Sequence, residues 1–127
     1  MEKIQIATKN APEAIGPYSQ AIKIGDMVFT SGQIPIDPQT GAIVEGGIEA
    51  QAHQVFKNLS EVLKEAGCDL NDAVKVVVFV KDLGDFAKLN EVYATYLEKP
   101  YPARSCVEVA RLPKDVLLEI EIVAHKK

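Results

Sequence analysis

The run Val74-Lys75-Val76-Val77-Val78-Phe79-Val80 constrains this chain more than any other feature. It is almost entirely apolar and rich in β-branched residues, which predicts a buried strand. Successive side chains of a strand point to opposite faces. Val74, Val76, Val78 and Val80 then face one way, and Lys75, Val77, Phe79 and Lys81 the other. A strand apolar on both sides needs cover on both sides. Only two stretches of the chain carry helical periodicity. In 47–66, Ile48, Ala52, Val55, Phe56, Leu59, Val62, Leu63 and Ala66 recur at steps of three and four, and Gly67 follows as a C-terminal cap. Asp82 is placed to cap a second helix, with Asp85 in its first turn and Phe86, Leu89, Tyr93, Tyr96 and Leu97 along one stripe; Pro100 and Pro102 end it. Two helices cover one face. Val77 and Phe79, joined by Val123 and Leu117, are left on the other. An apolar sheet face without a helix marks an interface, so an oligomer is expected; a partly apolar open sheet on a monomer is the alternative.

The remaining strands are short. Ile4 and Ile6 suggest the first. The runs 21–24 and 27–30 around Gly25-Asp26 read as a tight hairpin, and two more strands fall near 103–110 and 116–124. The order is β-β-β-α-β-α-β-β, an α+β arrangement with two helices on one face of a mixed sheet. At 127 residues the chain suits a single domain, 1–127, able to bury a core without disulfides or metals. Cys68 and Cys106 lie far apart and form no metal-binding spacing, so no metal site is expected and both read as reduced thiols of a cytoplasmic protein. No signal segment or membrane span is apparent. A net charge of −4 with scattered lysines disfavours nucleic acid as a partner.

Only two arginines occur, Arg104 and Arg111. Period 2 puts Arg104, Cys106 and Glu108 on one strand face, and Glu119 and Glu121 together on one face of the last strand. A cation at the start of a buried strand needs an anion. Two partners fit: a structural carboxylate such as Glu119, or the carboxylate of a ligand held by a two-pronged hydrogen bond.

The segment Pro102-Ala103-Arg104-Ser105-Cys106-Val107-Glu108-Val109-Ala110-Arg111-Leu112-Pro113-Lys114-Asp115, continuing to Ile122, resembles the C-terminal signature of the Rid family of reactive-intermediate deaminases. Gly16-Pro17-Tyr18-Ser19-Gln20-Ala21 resembles the family's N-terminal loop, 29–35 the end of its hairpin, and Asp85-Phe86 through Tyr93 its second helix. Four segments in register cover almost the whole chain. The resemblance implies a chorismate-mutase-like (ferredoxin-like) fold, a homotrimer joined through the uncovered face, and pockets between subunits. It implies the hydrolytic, cofactor-free deamination of 2-enamino and 2-imino acids, such as 2-aminoacrylate and 2-iminobutanoate, to 2-keto acids and ammonia. It further implies a role for each site residue. Arg104 would clamp the substrate carboxylate, and Glu119 would position or activate the attacking water. Tyr18 and Ser31 would line the pocket with hydroxyls, and Gly32 would let backbone approach the ligand. Asn90 would reach the pocket from the helix, and Cys106 would contribute mainly its backbone.

Each of these residues also has a plainer reading. Tyr18 can pack on its loop, Ser31 can be a turn residue, and Asn90 can cap a backbone group. Cys106 is a small core residue, with no base nearby in sequence to activate it. His53 reads as a helix-surface residue, His125 as a solvated tail residue, and Tyr93, Tyr96 and Tyr101 as packing. Glu121 fits an interface rim or a group behind Glu119. Two other functions use the same features: a module that binds small carboxylates without turning them over, and an endoribonuclease or translation inhibitor. The acidic balance weighs against the last.

Overall fold

In a computed structural model describing residues 1–127, six strands form one sheet in the order β1-β2-β3-β6-β4-β5. These are β1 (Lys3–Ile6), β2 (Ala21–Ile24), β3 (Met27–Thr30), β4 (Ala73–Val80), β5 (Ala103–Glu108) and β6 (Leu118–His125). Only β4 and β5 run parallel; every other neighbouring pair is antiparallel. The connection between those parallel strands carries helix α2 (Phe86–Tyr96), and α1 (Ile48–Glu65) packs beside it and against β3 and β6. The mixed sheet with two helices on one face is as expected.

Helix α1 forms where the apolar stripe predicts it. Val55, Phe56, Leu59, Val62 and Leu63 are wholly buried against Val28, Val76, Val78, Leu118, Ile120 and Ile122 of the sheet. Burying each such side chain contributes on the order of 1.5–3 kcal/mol. The helix stops because Gly67 adopts φ +82°, which a Cβ would oppose. Its N–H donates to Lys64 O (3.0 Å), and that of Cys68 donates to Leu63 O (2.8 Å), closing the paired bonds of a Schellman cap. Three buried polar side chains fasten loops and strands together. Gln51 Oε1 accepts from Leu117 N (2.8 Å), Thr30 Oγ1 accepts from Ile122 N (2.9 Å), and Asn58 Nδ2 donates to the carbonyls of Ile34 and Ile36.

The structure departs from the sequence reading at three points. Val74 is 46% exposed rather than buried with Val76. The register shifts by one residue between Ala73 and Lys75 against β6, so Val74 is the extra residue of a bulge. Asp82 caps a short 3-10 turn, Leu83–Asp85, through Gly84 N (2.7 Å), and α2 begins only at Phe86. Leu117 precedes β6 and packs at the margin of the core instead of on the open face. That open face is otherwise as expected. Phe29, Val123, Val77, Phe79 and Val107 share it by register, and no helix covers them; Phe29 and Val107 are each 45% exposed.

Candidate functional site

Arg104 lies on the edge strand β5, paired with the fully buried Val76. Paired residues share a face, so its side chain rises on the helix side of the sheet. There α2 presents Phe86, Asn90 and Tyr93, spaced by four and three residues and therefore aligned on one helix face. Arg104 Nη1 donates to Asn90 Oδ1 (2.7 Å), and the guanidinium lies 4.7 Å from the Tyr93 ring centre and 5.3 Å from that of Phe86. No carboxylate pairs with it. The one ion pair within the chain joins Arg111 to Asp115 at the surface (3.0 Å). Asn90, Tyr93, Ala94, Tyr101, Pro102 and Arg104 line a cavity of about 330 Å³. Asn90 thus bonds a side chain rather than a backbone group, and Tyr101, 50% exposed, lines this cavity instead of packing in the core.

Glu119 stands elsewhere. It pairs with Phe79, so it rises on the open face, with Glu121 two residues on. Two strand spacings, about 10 Å, and three residues of offset, about another 10 Å, separate it from Arg104. The two side chains also lie on opposite sides of the sheet, so Glu119 is not the internal partner of Arg104. Burial pushes the Glu119 carboxyl above the usual carboxylate range, and the nearby Glu121 charge pushes it further the same way.

A second cavity, of about 200 Å³, is lined by Tyr18, Gly32, Gln33, Lys114 and Glu119 among others. Gly32 lies against Glu119, a contact that sequence reading did not supply. A Cβ on it would fall 2.6 Å from Glu119 Cδ, so a larger residue there would push the Glu119 carboxylate aside. Among the expected pocket residues Cys106 lines neither cavity of this single chain, and neither does Ser31. The Ser31 hydroxyl donates to Ser19 O (2.6 Å), tying the N-terminal loop to the hairpin. Gln20 fastens the same loop more firmly, accepting from Thr8 N (2.7 Å) and donating to Pro12 O (2.7 Å) while 4% exposed. Tyr18 is half exposed at the cavity wall, its hydroxyl only loosely held by Ile15 N (3.4 Å).

Cys106 shares the helix-side face with Arg104, and burial pushes its thiol up against the opposing effect of the Arg104 charge. A protonated thiol is a poor nucleophile, consistent with the plain reading of this residue. His53 is exposed on α1 and bonds Tyr96 Oη (2.8 Å). Lys114 stands in the sequence analysis only as a member of the C-terminal signature segment. It reaches the Glu119 cavity because Lys114 and Asp115 both adopt left-handed φ (55° and 56°) between the buried anchors Leu112 and Val116, a conformation that residue types alone do not announce. No group of His, Cys, Asp or Glu is arranged to hold a metal ion. No helix is long and apolar enough to cross a membrane.

The family model described as Endoribonuclease L-PSP matches residues 8–126. The chain belongs to this family, the Rid family. It is 58% identical over 127 residues to a RutC family protein of Pyrococcus abyssi, covering 100% of both chains. It is 54% identical over 125 residues to the 2-iminobutanoate/2-iminopropanoate deaminase of Salmonella typhimurium, covering 96% of this chain and 97% of the relative. The crystal structure of RidA from the Antarctic bacterium Psychrobacter sp. PAMC 21119 superposes with a TM-score of 0.93 at 49% identity, covering 96% of this chain and 98% of that one. The Rid resemblance of the sequence and the α+β fold therefore both hold. The names of Rid relatives vary between a deaminase, a RutC family protein and an endoribonuclease description.

Proposed function

We propose that this Rid protein hydrolyses small 2-imino acids, with their 2-enamino tautomers, to 2-keto acids and ammonia. The observation that carries the reading is a half-buried Arg104 guanidinium with no carboxylate of its own chain, at the wall of a cavity. A cation so placed has its charge left for a ligand anion, and its planar fork matches a carboxylate. A second support is Glu119: burial and the Glu121 charge hold its carboxyl above the usual carboxylate range, the direction that suits an acid/base group.

In this reading Arg104 fixes the acid group of the substrate. Glu119 accepts a proton from water as the oxygen attacks the carbon of the protonated imine, giving a neutral carbinolamine. It then returns that proton to the nitrogen and takes the hydroxyl proton as the C–N bond breaks and the C=O forms, and the departing ammonia carries that last proton away as ammonium. Fixing the substrate lowers the entropic part of the barrier, and no electron sink is needed.

Arg104 and Glu119 of one chain line different cavities on different faces of the sheet. We infer that a complete site forms between neighbouring copies, Arg104 of one meeting the Tyr18–Gly32–Glu119 cavity of the next, as the apolar open face assembles a homotrimer.

The test is to generate 2-aminoacrylate or 2-iminobutanoate with a serine or threonine dehydratase and to time keto-acid release with and without this protein. Unchanged timing would remove the proposal. In the same assay Gly32→Ala should displace the Glu119 carboxylate and lower kcat by about 10²-fold, since a misplacement of about 1 Å costs that much. Wild-type turnover in Gly32→Ala would show that the seat of Glu119 is immaterial.

A further inference from the structure

A half-buried guanidinium ordinarily demands a carboxylate. Arg104 has instead two aromatic faces and one neutral amide oxygen. The substitution matters chemically. An internal carboxylate would satisfy the cation but would compete with any ligand acid for the same fork. An aromatic face attracts the cation through its quadrupole, holds the guanidinium plane by stacking, and leaves the N–H edge free.

We propose that Tyr93, supported by Phe86, is a positioning residue that holds Arg104 by its ring face in place of an ion pair. This rests on the reading that Arg104 grips the substrate carboxylate. Both residues project from the helix face that carries Asn90, so α2 supplies the whole holder: two rings and the acceptor for Nη1. Tyr93 is itself fixed. It is 6% exposed and packs edge-on against Phe56, with ring centres 5.8 Å apart, and Phe56 is fully buried beneath it. Its hydroxyl is buried with no hydrogen-bond partner. A position kept for hydrogen bonding would not strand its hydroxyl, so the useful part of Tyr93 is the ring. Burial holds the phenol in its neutral form, which keeps the interaction a cation–ring contact rather than an ion pair.

Three variants separate ring from hydroxyl and role from fold. Tyr93→Phe keeps the face, Tyr93→Leu removes it, and Phe86→Leu removes the second, more exposed ring. Steady-state turnover of 2-iminobutanoate is measured for each, together with calorimetric binding of 2-oxobutanoate. Tyr93→Phe should stay within about twofold of wild type. Tyr93→Leu should raise KM and the keto-acid Kd about tenfold with kcat nearly kept, the size of a partly desolvated cation–ring contact. Phe86→Leu should follow in the same direction, and it carries the test if Tyr93→Leu fails to fold. The Arg104 Nε–H proton resonance should shift downfield in Tyr93→Leu but not in Tyr93→Phe as the ring current is lost. Unchanged Kd and resonance in the Leu variants would overturn the proposal, and so would equal losses in Tyr93→Phe and Tyr93→Leu. If the wild-type protein neither binds nor turns over these acids, the deaminase reading fails, while the resonance still decides whether the rings hold Arg104.

Discussion

Arg104→Ala is expected to lower kcat/KM for imine hydrolysis roughly 30- to 4,000-fold, the loss that accompanies removal of one side of a hydrogen-bonded charge pair worth about 2–5 kcal/mol. The structure makes the same variant informative about stability. Were Arg104 a structural cation, deleting it would leave a buried carboxylate unpaired, at a cost of about 3–5 kcal/mol. No carboxylate of the chain pairs with it; the acceptor left behind is the neutral Asn90 amide. The thermal midpoint of Arg104→Ala should therefore stay within a few degrees of wild type while turnover collapses. Arg104→Lys should recover little, because an ammonium cannot reproduce a planar fork or stack on Tyr93 and Phe86 in the same way. Parallel loss of activity and of thermal midpoint would assign Arg104 to the scaffold.

Glu119→Gln should lower kcat about 10²- to 10⁴-fold, the usual range for a positioned acid/base group. Its pH behaviour distinguishes it from Arg104→Ala. Burial and Glu121 raise the Glu119 carboxyl above its unfolded value, so the folded chain holds that proton more tightly than the unfolded chain does. The stability it contributes is complete below the ordinary Glu value and is lost as pH rises through the folded value. The amide that replaces the carboxyl carries no charge at any pH. Glu119→Gln should thus melt higher than wild type at neutral pH, with the difference closing as pH falls below about 4.3, the ordinary Glu value. In the proposed mechanism the carboxylate is the base, so the wild-type rate should fall as pH drops through the folded value. A variant that is both dead and more stable is what a site that strains its own scaffold produces. Loss of stability at neutral pH in Glu119→Gln would contradict this account.

Much of the fold is legible in the residues. The stripe from Ile48 to Ala66 and the double-faced run from Val76 to Val80 are strong periodic signals, and they place the helices and the open face correctly. The strand periodicity also groups Arg104 with Cys106, and Glu119 with Glu121, as the register bears out. Period within one strand says nothing about which face the next strand turns inward. For that reason the sequence leaves Glu119 open as a partner for Arg104, whereas pairing puts the two on opposite sides. Val74 is misplaced because a bulge adds one residue without any change in composition. Ser31 and Gly32 are picked out together, but the contact of the glycine lies far along the chain in Glu119 and appears only in three dimensions. The rings beside Arg104 look like packing in the sequence because helix spacing cannot tell which apolar neighbour will meet a cation.

The placement of Arg104 and Glu119 on opposite sheet faces has a consequence for mixtures. If each working centre borrows its guanidinium from one copy and its carboxylate from the next, two inactive proteins can repair one another. Arg104→Ala chains still carry the acid, and Glu119→Gln chains still carry the cation. Unfolding equal amounts together and refolding them should scramble the copies, so that roughly one centre in four draws an intact group from each side of a closed cyclic assembly. Recovered turnover near that fraction, absent when the two proteins are mixed without unfolding, would be a signature that no arrangement confined to one polypeptide can produce.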